Sequence, residues 1–127
     1  MASLTDVLRR RVTGVLDLLL NKQERAQRAV YGHDPGALKG EQLIEYIRLN
    51  VLAATDELHE VLRETGWKTW RKEDYGFVNR ARYIDELADV LLFFLNLCLA
   101  QRVTGRELAV ALAKKWRLNA SRQKAGY

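Results

Sequence analysis

Asp85-Glu86-Leu87-Ala88-Asp89-Val90-Leu91-Leu92-Phe93-Phe94-Leu95-Asn96-Leu97-Cys98-Leu99-Ala100 is the stretch that decides the fold. With Ile84, its apolar residues Leu87, Ala88, Leu91, Leu92, Leu95 and Leu99 recur three and four apart, the period of one face of an α-helix and not the alternation of a strand. Leu91 to Ala100 is too short to span a bilayer, so it reads as a buried helix. The spacing predicts a helix from about Arg80 to Gln101, capped by Asn79. Working outward, Val7, Leu8, Val12, Val15, Leu16, Leu19 and Leu20 set an earlier helix over about Thr5 to Val30, broken by Tyr31-Gly32-His33-Asp34-Pro35-Gly36. Leu43, Ile44, Ile47, Val51, Ala54, Leu58, Val61 and Leu62 set another over about Glu41 to Glu64, with Gly66 as its stop. Thr104 and Glu107 have the spacing of a capping box, which opens a fourth helix running through Trp116 or beyond. An all-α bundle of four main helices follows, with the two middle helices expected as antiparallel neighbours.

The chain has 127 residues, a net charge of +5, one proline and a single cysteine, Cys98. That length fits one domain, residues 1–127, whose high surface-to-volume ratio would benefit from burying helix faces in a homodimer or homotetramer. One cysteine cannot form a disulfide framework, and Cys98 is expected in the core of a cytoplasmic protein. The start, Met1-Ala2-Ser3-Leu4-Thr5-Asp6, lacks the charged region and apolar run of a signal peptide, and no membrane partner is expected.

Two acidic spacings carry the chemistry. Glu57-Leu58-His59-Glu60 and Glu86-Leu87-Ala88-Asp89 each set two carboxylates one helical turn apart on one face. Four such groups converging in a half-buried groove would repel unless a hard divalent cation neutralised them, and all-oxygen ligation favours Mg²⁺ or Mn²⁺. Taken singly, each pair also fits the solvated face of an amphipathic helix. His59 points about 100° away from Glu60 around the helix and is read as structural or surface. Trp67-Lys68-Thr69-Trp70-Arg71-Lys72-Glu73-Asp74-Tyr75-Gly76-Phe77 is too polar for core and too aromatic for an idle linker, which marks a binding loop. Trp70 is the tryptophan more expected to pack as core. Cations at Arg9-Arg10-Arg11, Lys68 to Lys72 and Lys114 to Lys124 flank the acidic centre and could offset phosphate charge. No zinc-protease H-E-x-x-H, glycine-rich phosphate loop or G-x-S-x-G turn occurs. A nucleic-acid partner is not expected either, because there is no recognition signature and an acidic site repels a phosphate backbone.

The order E-x-x-E, about twenty-five residues, then E-x-x-D resembles the all-α nucleotide pyrophosphohydrolase superfamily, which includes MazG-like proteins and the dimeric dUTPases. Three further segments add to the resemblance. Glu57 through Trp70 is similar to an acidic helix followed by a W-K-x-W loop. Phe93 to Leu97 is similar to an F-x-x-N-L continuation in compact phage members. Lys115-Trp116-Arg117-Leu118-Asn119-Ala120-Ser121-Arg122-Gln123-Lys124-Ala125-Gly126-Tyr127 is similar to a K-x-x-x-N-x-x-R-Q-x-x-G-Y ending. The resemblance runs from about Asn21 to the C-terminus.

It implies metal-dependent hydrolysis of a nucleoside triphosphate to a monophosphate and pyrophosphate. Glu57, Glu60, Glu86 and Asp89 would hold two or more Mg²⁺ or Mn²⁺ ions, with Glu57 also accepting the proton of the attacking water. Lys115, Asn119 and Arg122 would contact phosphate or sugar, and Lys68 phosphate. Asn96 would contact substrate or bridge helices. Trp67 would stack on the base or wall the pocket. Gln23 falls where dimeric dUTPases carry a base-contacting glutamine, although Lys22-Gln23-Glu24-Arg25 departs from their context. The compact length favours a purine substrate, dATP or dGTP, with dUTP as the alternative. A non-catalytic helical assembly module is the contrasting reading, and host cytoplasm is the expected location if the chain is phage-encoded.

Overall fold

Ser3 begins the architecture by capping the first helix: its Oγ accepts from the Asp6 backbone N–H at 3.1 Å while Asp6 reaches back to Ser3. That reciprocal bond satisfies N–H groups that a helix start leaves orphaned. In the computed structural model, which describes residues 2–126, helix α1 spans Leu4–Tyr31 and stops at Gly32, left-handed at φ 68°. Helix α2 spans Gly40–Arg63, α3 spans Arg80–Ala100 and α4 spans Gly105–Lys124. Asn79 caps α3, and the Thr104–Glu107 capping box opens α4 as the sequence predicts. The protein is thus all-α with four main helices. Among the described residues the sole β-type pairing is one antiparallel bridge, Thr65 with Val78, and no helix is long and apolar enough to cross a membrane.

The chain groups into two compact units. In the first, residues 1–33 and 102–127, α1 packs against α4. The Gly105 N–H donates to Asp17 Oδ1 at 2.8 Å. A Cβ at Gly105 would meet that oxygen and the Thr13 carbonyl at 2.6 Å, so the absence of a side chain is what lets α4 start against α1. Counting Lys and Arg against Asp and Glu gives this unit +9, from 13 and 4, whereas the second has −4, from 8 and 12.

In the second unit, residues 34–101, α2 and α3 form an antiparallel pair and the 3₁₀ turn Pro35–Ala37 packs on α3. The direction is fixed by contacts at two levels: the Asn79 N–H donates to the Glu64 carbonyl at 2.8 Å, and Asn96 Nδ2 donates to Asn50 Oδ1 at 2.9 Å. Between these levels Glu57 approaches Glu86 and Asp89.

Burial departs from the expected apolar stripes. Leu20, Tyr46, Leu95, Cys98, Leu99, Ala100 and Ala109 are buried. Ile44, Val51, Leu58 and Leu62 on α2, and Ile84, Leu87, Leu91 and Leu92 on α3, are exposed instead of inward. Helical periodicity reports that a helix has an apolar face but does not say which neighbour covers it. Full burial of such a side chain is worth ~1.5–3 kcal/mol, so these rows leave much of their driving force unused within the chain. Trp70 is also corrected: at 69 % exposure it is not core.

Candidate metal centre

Glu57 lies about two turns before the end of α2, while Glu86 and Asp89 lie one turn apart near the start of α3, so antiparallel packing sets them side by side. One carboxylate oxygen from each lies within 4.8 Å of the others. Glu57 and Glu86 are half-buried and Asp89 is exposed. Burial raises the Glu57 pKa above its ordinary value, a hydrogen bond with Glu86 adds to the rise, and the charges of Asp89, Glu86 and Asp56 push the same way. Ionised, the three groups repel one another, which is the condition a divalent cation relieves.

The donor set suits a hard ion. Oxygens about 2.1 Å from Mg²⁺ are at most about 4.2 Å apart across an octahedron, so modest side-chain movements would close the observed spread onto one ion. Exposure on the Asp89 side leaves room for waters or phosphate oxygens in the remaining positions.

Glu60, the fourth expected ligand, lies outside this cluster. It shares the acidic face of α2 but accepts a hydrogen bond from Arg63, three residues on. That i,i+3 spacing sets a competing cation one turn from Glu60, on the side away from Glu57 in the chain. His59 is exposed, in accord with the surface reading.

Asn96 is buried in the α2–α3 seam. It donates to Asn50, whose own Nδ2 donates to the Tyr46 carbonyl at 2.8 Å, so its amide is engaged in bridging the two helices. Asn50 and Tyr46 are the partners that periodicity did not single out. The buried Tyr46 hydroxyl has its pKa pushed up to about 12 by burial, opposed in part by a hydrogen bond with Asn50.

The loop from α2 to α3 is closed by backbone bonds: the Gly66 N–H donates to the Phe77 carbonyl at 2.7 Å and the Gly76 N–H to the Gly66 carbonyl at 2.9 Å. A Cβ at Gly66 would stand 1.7 Å from the Asp74 carbonyl oxygen, so the loop can close only around glycine. Trp67 and Lys68 line a cavity of about 310 Å³ with Arg63, Arg71 and Phe77. Lys68 Nζ is 5.8 Å from the Trp67 ring centroid, and Trp70 meets Trp67 edge-on at 5.8 Å. Aromatic faces beside guanidinium and ammonium groups suit a ligand that is flat at one end and anionic at the other.

Lys115, Asn119 and Arg122 stand in the first unit. Their spacing puts them on one face of α4, all three exposed. Tyr127, which closes the C-terminal motif, lies outside the described residues. Gln23 is buried on α1, also in the first unit. Comparison of the chain with family models, with curated proteins and with solved structures finds no match.

Proposed function

We propose that this chain is a metal-dependent nucleoside triphosphate pyrophosphohydrolase that converts a dNTP and water to a dNMP and pyrophosphate, with dATP or dGTP preferred. The observation that carries the reading is the convergence of Glu57, Glu86 and Asp89 from two helices. These three residues would hold Mg²⁺ or Mn²⁺, and Glu60 could join them only by leaving Arg63. Bound there, the ions would offset phosphate charge and acidify the attacking water.

The residues divide the remaining work. Glu57 would take a proton from the attacking water. The water oxygen ends on one product and the bridging oxygen between the α and β phosphates stays with the other as that P–O bond breaks. Lys68 would contact phosphate, and Trp67 would stack on the base. dUTP is the competing substrate, since base choice depends on a few pocket contacts.

Incubating the protein with dATP, dGTP or dUTP and Mg²⁺ or Mn²⁺, then separating the products, tests this. Monophosphate with pyrophosphate is expected. Diphosphate with inorganic phosphate, or no turnover of any of the three, overturns it.

A further inference from the structure

The positive charge of the α1–α4 unit is not neutralised from within. Its 13 Lys and Arg face four acids, Asp6, Asp17, Glu24 and Glu107. Each of the four is already engaged. Asp6 accepts from the Ser3 hydroxyl and pairs with Arg9 at 3.2 Å, and Asp17 accepts from the Gly105 N–H. Glu24 pairs with Arg28 at 2.8 Å, and Glu107 accepts from the Thr104 N–H.

At one place these cations share an opening. Where α4 begins against α1, a cavity of about 330 Å³ is lined by Arg9, Arg10, Thr13, Arg106 and Val110. Arg9 and Thr13 stand one turn apart on α1, and Arg106 lies in the first turn of α4, one turn before Val110. Arg10 and Arg106 make no hydrogen bond or ion pair among the described residues. Three guanidinium groups around one cavity repel one another, as the carboxylates of the metal centre do, and a bound anion relieves that repulsion.

We propose that this cavity binds a compact phosphate anion of the pyrophosphate class, recognised by its phosphate oxygens alone. The lining selects for that chemistry. Its cations are all arginines, whose planar forks meet phosphoryl oxygens two at a time, and the Thr13 hydroxyl can donate a further bond. The first turn of α4 brings the positive end of its dipole to the same place. With Asp6 set against Arg9, the charges of Arg10 and Arg106 remain, more than a single carboxylate balances. No aromatic ring lines the cavity and Val110 is its one apolar side chain, so nothing there stacks on a base. The volume is at the small end for ligand pockets, which suits an anion without a nucleoside. Pyrophosphate is also the product of the proposed hydrolysis, but the cavity lies in a different unit from Glu57, Glu86 and Asp89 and stands without that reading.

Calorimetric titration of the whole chain with sodium pyrophosphate tests this, after metal is stripped on a chelating resin so that the result is separate from catalysis. Low ionic strength keeps the exposed charges least screened. One pyrophosphate per chain is expected. Arg10→Gln with Arg106→Gln should weaken binding at least tenfold at unchanged helicity by circular dichroism, since both side chains are exposed. Lys22→Gln with Arg25→Gln removes the same charge from α1 away from the cavity and should leave affinity within about twofold of the parent. Should the first pair of changes cost helicity, Arg106→Lys supplies the readout: it keeps the charge and loses the fork, so binding should weaken several-fold. Absence of pyrophosphate binding, or equal losses in the two double variants, overturns the proposal. So does a short DNA duplex that binds more tightly than pyrophosphate through the same two arginines.

Discussion

Asn96 on α3 donates through Nδ2 to Asn50 Oδ1 on α2 at 2.9 Å, and both residues are at least nine-tenths buried. Inside an apolar seam such a pair specifies register, because sliding either helix breaks the buried bond between the two amides. Asn96→Ala removes the donor and keeps the buried acceptor, so it should destabilise the protein by about 1–3 kcal/mol in urea unfolding. A role confined to substrate contact would instead lower kcat/KM at unchanged stability. A full-strength unfolding midpoint in Asn96→Ala would therefore discard the bridge as its main function.

Tyr46 sits at the end of the same ladder, and its pH behaviour follows from burial. Its folded pKa, about 12, is above the unfolded tyrosine value near 10, so the folded state holds its proton longer. The associated stability is present below about pH 10 and is lost as pH rises from there through about 12. Tyr46→Phe has no proton to lose. Its alkaline unfolding curve should be flatter than the parent's across that window, and superimposable slopes would refute the assignment.

Glu57 titrates in the same direction at lower pH. Its raised carboxyl pKa means that the folded chain binds more protons than the unfolded one just above the ordinary carboxylate range. With chelator present, stability should fall as pH rises through that interval, and Glu57→Gln should remove the dependence. With Mn²⁺ the sign reverses: ions bind the ionised cluster, so the parent should be stabilised by roughly 2.7 kcal/mol at one hundred times the dissociation constant, and more at pH 8 than at pH 5. Equal stabilisation of the parent and Glu57→Gln would place the ion elsewhere.

Helix existence and approximate bounds were legible because caps and periodicity are local. Asn79 and Thr104 each sit where a helix starts, and Gly32 where one stops, whereas the Ser3 cap sets the first helix slightly earlier than its apolar period does. The pairing of Glu57 with Glu86 and Asp89 was also legible, since two acidic turns on adjacent antiparallel helices have few places to go. Which apolar rows lie inside was not, because Val51 and Leu91 satisfy the same period as Leu95 while only Leu95 is covered within the chain. Nor was the diversion of Glu60, a choice between near-equal interactions of a few tenths of a kcal/mol on a helix surface.

Two glycines should respond oppositely to alanine. Gly14 lies inside α1 with nothing within 4 Å of an added Cβ, so Gly14→Ala should stabilise the protein by ~0.5–1 kcal/mol through helix propensity. Gly105→Ala drives a methyl against the Thr13 carbonyl and Asp17 Oδ1, which should cost ~1–3 kcal/mol and loosen the bond that seats α4 on α1. Thermal unfolding of the two variants decides the matter, and a stabilised Gly105→Ala chain would contradict the close approach described for α1 and α4.

Glu60 offers the sharpest separation between what spacing suggests and what packing permits. The E-x-x-E pattern ranks it with Glu57, yet its carboxylate is committed to Arg63 and lies outside the oxygen cluster. An exposed pair of this kind contributes only ~0.3–0.5 kcal/mol, so it can be broken if an ion rewards the move. If the ion is held by Glu57, Glu86 and Asp89 alone, Glu60→Gln should leave Mn²⁺ affinity within about threefold of the parent, while Asp89→Asn weakens it at least tenfold, on the order of 1.4 kcal/mol. Arg63→Met frees Glu60 without removing it. Under the three-ligand arrangement that change leaves Mn²⁺ affinity nearly constant, whereas a gain in Arg63→Met together with a loss in Glu60→Gln would show that Glu60 swings from its arginine onto the ion. Calorimetric titration of the three variants with Mn²⁺ distinguishes the two arrangements directly.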